Sequence, residues 1–322
     1  MKIKIHGSRG SFPASPREGF DVTKYGGATT CIEVQDRDGN RHIVDSGTGI
    51  IPLGYELMKG EFGKGKGKLN IYQTHTHWDH IQGFPFFVPI YVPGNNIKVY
   101  GHKNYESKLV DAIAGQGIPR PQVAMQKQMS EDVFPVTLDQ LASNLEFYSL
   151  EGDNVYQNGL TVTCEALNHP KGVLSYKFKE NGKTFVVATD VEIVGDVKKR
   201  ETMSLLDMKL LEWMKGADIV MIDSQYLPEE MEKKKGWGHS SYDRCIDYAI
   251  EAGVPEIILT HHEPANSDEK LDELEHRAQE YLRFRLEEKS RPQSTLKMTM
   301  ARDGMEIELD IKARSYNCKR GE

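Results

Sequence analysis

Imidazole and carboxylate side chains are crowded into one short segment of the sequence, His75-Thr76-His77-Trp78-Asp79-His80. Such groups compete for protons when they lie close together, and each is costly to bury without a partner. A divalent cation stabilises them together, because imidazole and carboxylate are among its ordinary ligands. One ion cannot readily use all four. The spacing predicts that His75 and His77 face one ion while Asp79 and His80 face a second, about 3.5–4 Å away, as in two-metal hydrolases.

Three further candidate ligands occur downstream, and each directly follows an apolar, strand-like segment: His169, Asp190 and His261. Loops at the ends of strands are where functional side chains gather. We therefore expect these residues to meet the histidine-rich segment at one edge of a sheet. His262 is a direct neighbour of His261, and the residues by themselves leave open which of the two is the ligand.

The predicted secondary structure that must position these residues differs between the start and the end of the chain. Up to about residue 45 the sequence predicts short strands joined by turns such as Asp38-Gly39-Asn40. After residue 200, helical segments alternate with apolar strands, and a long charged helix is predicted at 268–289. A terminal hairpin is expected at 295–310, with its turn at Arg302-Asp303-Gly304. We predict one domain at 1–312, a lid-like insertion at 103–135 and a basic, flexible tail at 313–322.

Composition excludes several classes of protein. The 322 residues contain 41 Lys and Arg against 48 Asp and Glu, a formal charge of −7, which disfavours a surface that binds nucleic acid generally. Apolar segments fall far short of the roughly 20 residues that span a bilayer. The first residues do not resemble a secretory signal, so we expect a cytoplasmic protein without a membrane partner.

The cysteines are scattered, which argues against disulfides and thiolate metal sites: Cys31, Cys164, Cys245 and Cys318.

The order His-x-His-x-Asp-His, then His169, Asp190 and His261, resembles the metallo-β-lactamase superfamily along the whole chain. The resemblance implies an α/β fold, a four-layer αββα sandwich with its ligands at one edge of two facing sheets. It also implies that His75, His77 and His169 hold a first ion, that Asp79, His80 and His261 hold a second, and that Asp190 bridges them. It favours His261 over His262. Zn²⁺ suits these ligands best, although Mn²⁺ or Fe²⁺ would bind the same set.

The segment Gly236-Trp237-Gly238-His239-Ser240-Ser241 is similar to the Gly-His-Ser segment of ribonuclease Z and related phosphodiesterases, in which the histidine assists cleavage. We expect His239 to be a general acid; the alternative is a helix-capping segment with a solvated histidine. Asp223 is a candidate to orient His239, or else a carboxylate in an ordinary turn. Lys233-Lys234-Lys235 could attract an anionic substrate, whereas Arg9 is expected to be solvated rather than bound to phosphate.

These features favour a hydrolase of a small phosphodiester, such as a cyclic nucleotide or cyclic phosphate. A water molecule ionised by two metal ions would be the nucleophile, Asp79 would bind metal and orient that water, and His239 would protonate the leaving group. The alternative is an ester, thioester or lactone hydrolase. A tRNA 3′-processing endonuclease is less favoured, because the short interval from His169 to Asp190 lacks the RNA-gripping arm of those enzymes. A non-catalytic scaffold is also less favoured. Resemblance to dimeric phosphodiesterases suggests a homodimer.

Overall fold

The computed structural model describes residues 1–103, 118–150, 154–157, 159–288, 296–309 and 316–317. Residues 104–117 of the predicted insertion lie outside this part of the chain, as does the predicted tail apart from Tyr316–Asn317. The helices are α1 (Ile50–Met58), α2 (Trp78–Ile81), α3 (Arg120–Gln128), α4 (Leu205–Met214), α5 (Tyr242–Ala252) and α6 (Asp268–Glu288).

The strands of the described residues are β1 (Lys2–Gly7), β2 (Cys31–Gln35), β3 (Arg41–Val44), β4 (Lys68–Tyr72), β5 (Asn96–His102), β6 (Asn144–Leu150), β7 (Asn154–Gln157), β8 (Leu160–Leu167), β9 (Val173–Glu180), β10 (Lys183–Ala188), β11 (Ile219–Asp223), β12 (Glu256–Thr260), β13 (Lys297–Met300), β14 (Glu306–Glu308) and β15 (Tyr316–Asn317). They form an eight-stranded sheet, ordered β15-β14-β1-β2-β3-β4-β5-β6, and a seven-stranded sheet, ordered β13-β12-β11-β10-β9-β8-β7.

Alternating side chains along the strands explain why two sheets are stacked between helices. In β10, Phe185 and Val187 pack into the apolar cluster between the sheets, whereas Val186 and Ala188 pack into the cluster under α4, α5 and α6. A strand buried on both faces reads as a continuous apolar run, as β10 does. A third cluster lies between the first sheet and α1 and α3. Three apolar clusters thus separate four layers, which confirms the predicted α/β, αββα sandwich.

The strand directions bring the functional segments to one edge. Strands β3 to β6 run parallel, and so do β10 to β13. Strand β8 is antiparallel to β9, which is antiparallel to β10, so β8 and β10 point the same way. The carboxyl ends of β4, β8, β10 and β12, after which the candidate ligands follow, therefore meet at the same edge of the sandwich.

The predicted terminal hairpin is wrong. Strand β13 extends the second sheet beside β12, whereas β14 extends the first sheet beside β1, so the turn crosses from one sheet to the other. The Asp303 carboxylate explains the crossing, because it accepts hydrogen bonds from the backbone N–H of Ser8 at 3.0 Å and of Ala28 at 2.9 Å. These bonds hold the turn against the end of β1 instead of letting the chain fold back on β13.

The described part of the predicted insertion packs on the body of the protein. Met125 of α3 and Met129 just after it are fully buried in the cluster against the first sheet. The side-chain amide of Gln128 donates a hydrogen bond to the carbonyl of Ile81, directly after the histidine-rich segment. Helix α3 therefore supports that segment from behind. Within the described residues, the helices are all too short or too polar to cross a membrane.

Candidate metal centre

The seven predicted ligands converge into two overlapping groups. Potential ligand atoms of the first group lie within 4.8 Å of one another, and its members are His75, His77, His169 and Asp190. The second group meets the same limit, and its members are Asp79, His80, Asp190 and His261. Asp190 is shared by both, as the bridging assignment requires. The structure thus brings together every residue of the predicted ligand set; that each binds metal remains a prediction.

His262 does not join either group among the described residues. Its Nε2 lies 2.8 Å from the carbonyl oxygen of Ala301, and its ring packs edge-on against Tyr25. Both residues follow β12, and the left-handed φ of 62° at His261 separates the directions of their side chains. His261 is therefore the member of the pair that the geometry places at the centre.

Unpartnered buried atoms make this centre suitable for divalent cations. Nε2 of His75, His80 and His261 and Oδ1 of Asp190 are buried and make no hydrogen bond with a described residue. Nε2 of His80 lies 3.0 Å from Oδ1 of Asp190, and Nε2 of His75 lies 3.6 Å from Oδ2 of Asp190. Polar atoms buried without partners are rare because each carries a desolvation cost. Nitrogen and carboxylate donors that face one another in this way fit the metal ions that the sequence predicts.

The protonation states of three candidate ligands support the same fit. Burial lowers the pKa of His75 well below its usual value and that of His77 to about 4, so both rings are neutral at pH 7. Burial opposes ionisation of Asp190, but the surrounding imidazoles, His261 first, hold its pKa well below its ordinary value. Neutral imidazole and ionised carboxylate are the forms that coordinate metal.

The backbone is strained at residues that directly follow three of the strands. Asp190 and His261 follow β10 and β12 with φ angles of 56° and 62°, and Asp45 follows β3 with a φ of 63°. Residues other than glycine rarely adopt this left-handed conformation, which costs about 1–3 kcal/mol and persists only where surrounding contacts impose it. Three such residues at strand ends on the same edge indicate that this edge is built to direct side chains inward.

Asp45 is a functional residue that sequence reasoning missed. It is fully buried, and its Oδ2 lies 2.7 Å from Nδ1 of His80. Its Oδ1 accepts hydrogen bonds from the side chain of Gln73 and the backbone N–H of Thr74, both at 2.8 Å. A carboxylate behind a ligand histidine fixes the ring and its tautomer. The available signal was the placement of Asp45 directly after an apolar strand, the same placement that identified Asp190.

The turn after β1 also orders the centre. The backbone N–H of Ser11, which has a φ of 60°, donates a hydrogen bond of 2.8 Å to Oδ2 of Asp79. Gly10 packs against the ring of His261, where a Cβ atom would lie 2.4 Å from Nε2. A short Gly-Ser turn therefore holds two members of the second group.

His239 lies beside the centre and is paired with Asp223. Its Nδ1 is 2.6 Å from Oδ2 of Asp223, and its ring stacks on His261 with a centroid distance of 5.0 Å and an interplanar angle of 20°. Burial of the ring acts to lower its pKa, but the Asp223 carboxylate outweighs this effect and raises the pKa to about 9. Asp223 therefore occupies the orienting position, and it is not a carboxylate in an ordinary turn. Ligand atoms of Asp223, His239 and His261 also lie within 4.8 Å of one another, so this trio is a further candidate metal group.

A second missed carboxylate holds the loop that carries His239. Oε1 and Oε2 of Glu192 accept hydrogen bonds from the backbone N–H groups of Gly236 and Gly238, at 2.7 and 3.0 Å. The carbonyl of Gly238 in turn lies 2.9 Å from Nδ1 of His169. The loop and a ligand histidine are thus fixed to each other.

Arg9 is buried, contrary to the expectation of a solvated side chain. Its Nε donates to the carbonyl of Gly26 at 2.8 Å, and its Nη1 donates to the carbonyls of Glu263 and Asn266 at 3.1 and 2.6 Å. These acceptors lie 17 to 257 residues from Arg9 in the sequence, so no local pattern predicts them. Arg9 stabilises the loop that follows His261.

The remaining lysines and cysteines are peripheral to the centre. Lys234 lies 4.0 Å from a carboxylate oxygen of both Glu230 and Glu263, so part of the predicted basic cluster is neutralised. Three cysteines are buried and free, as expected: Cys31, Cys164 and Cys245. Cys318 lies outside the described residues.

Comparison with known proteins agrees with this geometry. A family model described as "Beta-lactamase superfamily domain" matches residues 69–262, more than half of the chain, and this interval includes all seven candidate ligands. The chain belongs to the β-lactamase superfamily. Its membership and fold confirm the predicted resemblance and make it a hydrolase of the metallo-β-lactamase fold, which implies divalent metal ions.

Individual relatives are distant. Ribonuclease Z of Streptococcus gordonii is 24% identical over 226 residues, which cover 59% of this chain and 70% of that protein. The metallo-β-lactamase fold protein YhfI of Bacillus subtilis superposes with a TM-score of 0.59 at 16% identity, covering 95% of this chain and 98% of that one. A diphosphatase of the PhnP family superposes with a TM-score of 0.58 at 16% identity, covering 95% of each chain. The two structural similarities show a shared fold.

Proposed function

We propose that this protein is a phosphodiesterase that hydrolyses a small phosphodiester, of the cyclic nucleotide or cyclic phosphate type, with two divalent metal ions. The observation that carries the proposal is the pair formed by His239 and Asp223, 2.6 Å apart, stacked beside the candidate ligand His261. A metal centre alone would suit many hydrolases. An oriented imidazole next to it suits substrates whose leaving group needs a proton.

The ligand set divides between the two ions as the resemblance implies. His75, His77 and His169 would hold one ion, Asp79, His80 and His261 the other, and Asp190 would bridge them. When bound, such ions supply positive charge to the phosphoryl oxygens and make a water molecule acidic enough to ionise near neutral pH. Asp79, whose Oδ2 is held by the N–H of Ser11, would bind metal and orient that water.

Protonation of the leaving oxygen is the task of His239. Hydrolysis breaks the bond between phosphorus and the leaving oxygen, and an alkoxide is a poor leaving group unless a proton reaches it. Because Asp223 engages Nδ1, Nε2 is the atom left to carry and donate that proton. An acyl ester needs less help of this kind, so the oriented histidine favours a phosphodiester over an ester, thioester or lactone.

Two features favour a small substrate over tRNA. The interval between His169 and Asp190 is filled by β9, β10 and their tight connection, where Glu180 pairs with Lys183. It has no room for the arm that grips RNA in ribonuclease Z. The net charge of −7 also provides little attraction for many phosphates. The names of two relatives, a ribonuclease and a diphosphatase, are in keeping with phosphoryl chemistry.

The test is a pair of assays on the metal-loaded protein, one with bis(p-nitrophenyl) phosphate and one with p-nitrophenyl acetate, each repeated after chelation and after adding back Zn²⁺, Mn²⁺ or Fe²⁺. The proposal predicts metal-dependent hydrolysis of the phosphodiester. Metal-dependent hydrolysis of the acyl ester without phosphodiester turnover would instead assign the protein to the ester, thioester or lactone hydrolases. A following screen of cyclic nucleotides and sugar cyclic phosphates would then identify the substrate.

A further inference from the structure

We propose that Trp78 and Trp237 form a stacking site for a planar ring, so that the preferred substrate is a nucleoside phosphodiester rather than a phosphodiester of a sugar or polyol. The inference rests on the proposed phosphodiesterase function and narrows its substrate class. It is carried by three observations: the exposure of both indoles, their attachment to the candidate metal centre, and the rigidity of the backbone beneath them.

Two of the three tryptophans expose most of their surface. Trp78 is 65% exposed and Trp237 is 60% exposed. Trp213, in contrast, is partly buried against the core, and its Nε1–H donates to Oγ of Ser175 at 2.8 Å. Tryptophan is among the residues that proteins bury most extensively, and an exposed aromatic surface gains free energy when a partner covers it.

Both exposed tryptophans are next to residues of the centre. Trp78 lies between the ligands His77 and Asp79, and Trp237 directly precedes Gly238. Nδ1 of His77 lies 3.1 Å from Nε2 of His169, whose Nδ1 lies 2.9 Å from the carbonyl oxygen of Gly238. A continuous path of contacts therefore joins the two tryptophans through His169. His77 is also the least buried of the seven candidate ligands, so this is the open side of the centre.

The backbone under each indole is fixed before any substrate binds. Gly236 and Gly238 flank Trp237 with φ angles of 83° and 94°, and the carboxylate of Glu192 holds the N–H of both. Trp78 is the first residue of α2, and its carbonyl accepts a hydrogen bond from the N–H of Gln82 at 2.8 Å. A prepared aromatic surface loses little conformational entropy on binding.

The expected substrate combines a phosphate, which suits the metal centre, with a planar ring, which suits the two tryptophans. In a nucleotide, a planar base lies a few bonds from the phosphate, so a base can stack while the phosphoryl group reaches the metal centre. Stacking on an aromatic side chain is available to every base. A substrate without a planar base would leave both indoles uncovered.

The experiment compares adenosine 2′,3′-cyclic phosphate with methyl ribofuranoside 2,3-cyclic phosphate, which has the same reacting group and no base. The measured quantity is the ratio of kcat/KM for the two substrates. The proposal predicts that Trp78→Ala and Trp237→Ala each lower this ratio about 10-fold, whereas the phenylalanine variants retain most of it. Tyr55→Ala is the matched control, because Tyr55 is equally exposed, at 60%, and lies on α1. Metal content is measured for every variant.

Binding gives an independent readout. Adenosine monophosphate should quench the tryptophan fluorescence of the wild-type protein, and the doubly substituted W78F/W237F protein, which keeps Trp213, should lose that quenching. A ratio of kcat/KM that is unchanged in both alanine variants, or an absence of quenching in the wild type, would overturn the stacking site while leaving the phosphodiesterase proposal intact. Turnover of neither cyclic phosphate, together with metal-dependent ester hydrolysis, would reject the phosphodiesterase instead.

Discussion

Gly10 lies in direct contact with the ring of His261: a Cβ atom at position 10 would be 2.4 Å from Nε2 and 2.5 Å from Cδ2. The two residues are joined through the backbone as well, because the N–H of Gly10 donates to the carbonyl of His262 at 3.0 Å. The turn after β1 and the end of β12 are therefore one unit, and the place of His261 depends on the absence of a side chain at position 10.

Gly10→Ala should accordingly displace His261 and weaken the second metal group. Because changes behind a metal ligand usually cost about 10- to 100-fold in metal affinity or activity, we expect a loss in that range. Metal titration of the purified variant measures it. Gly60→Ala is a suitable control, because a Cβ there meets only the carbonyl of Leu57 at 3.6 Å. Equal metal affinity in Gly10→Ala and the wild type would show that His261 tolerates the methyl group.

His239→Ala should retain both metal ions and lose about 100-fold or more in turnover of phosphodiesters. The loss should shrink with p-nitrophenol as leaving group, since nitrophenolate leaves without a proton. Steady-state kinetics with alkyl and aryl phosphodiesters separate the two cases, and elemental analysis reports the metal. Loss of an ion would instead identify His239 as a ligand within the trio with Asp223 and His261. Undiminished turnover of the alkyl substrate would remove His239 from the mechanism.

Asp190→Ala should lose metal and activity together, because its carboxylate is common to both groups. Elemental analysis after dialysis against metal-free buffer is the measurement. Asp132→Ala serves as a control for removal of one carboxylate, since Asp132 is exposed. Two ions retained per chain in Asp190→Ala would contradict the bridging assignment.

Asp303 should make stability depend on pH. Burial outweighs its hydrogen bonds with Ser8 and Ala28 and raises its pKa from 3.8 to about 6. The folded protein thus holds this proton more tightly than the unfolded chain, so the group contributes its full stability below about pH 4 and loses it as pH rises to about 6. Relative to Asp303→Asn, the wild type should lose about 2 kcal/mol of unfolding free energy between pH 4 and pH 7.

Urea unfolding of both proteins across this pH range, in chelator and at constant ionic strength, checks the prediction. The two proteins are compared by how their unfolding free energies change with pH. Their absolute stabilities are not compared, because the substitution itself alters the hydrogen bonds of the turn. Parallel pH profiles for wild type and Asp303→Asn would show that the carboxyl titrates at its ordinary pKa in the folded protein.

The sequence predicts the sandwich and the grouping of its candidate ligands because both follow from local patterns. Apolar runs such as 185–188 identify strands, and His169, Asp190 and His261 each stand where such a run ends. Parallel strands bring those ends to one edge without further information. The distinction between His261 and His262 depends on resemblance, and the hydrogen bond of His262 to Ala301 supplies its physical reason.

The supporting contacts could not be predicted, because they join residues far apart in the chain through backbone groups. The Ser11 N–H on Asp79, the Glu192 carboxylate under the His239 loop and the carbonyls around Arg9 have no spacing that a sequence reveals. The same reason accounts for the wrong hairpin, since Asp303 is bound to Ser8 across nearly the whole chain.

The most direct test of the dinuclear centre is an anomalous-scattering map from crystals grown with Zn²⁺. Two peaks are predicted, one among His75, His77, His169 and Asp190 and the other among Asp79, His80, Asp190 and His261. A map with no peak inside these groups, or with its ions bound elsewhere on the protein, would contradict the account.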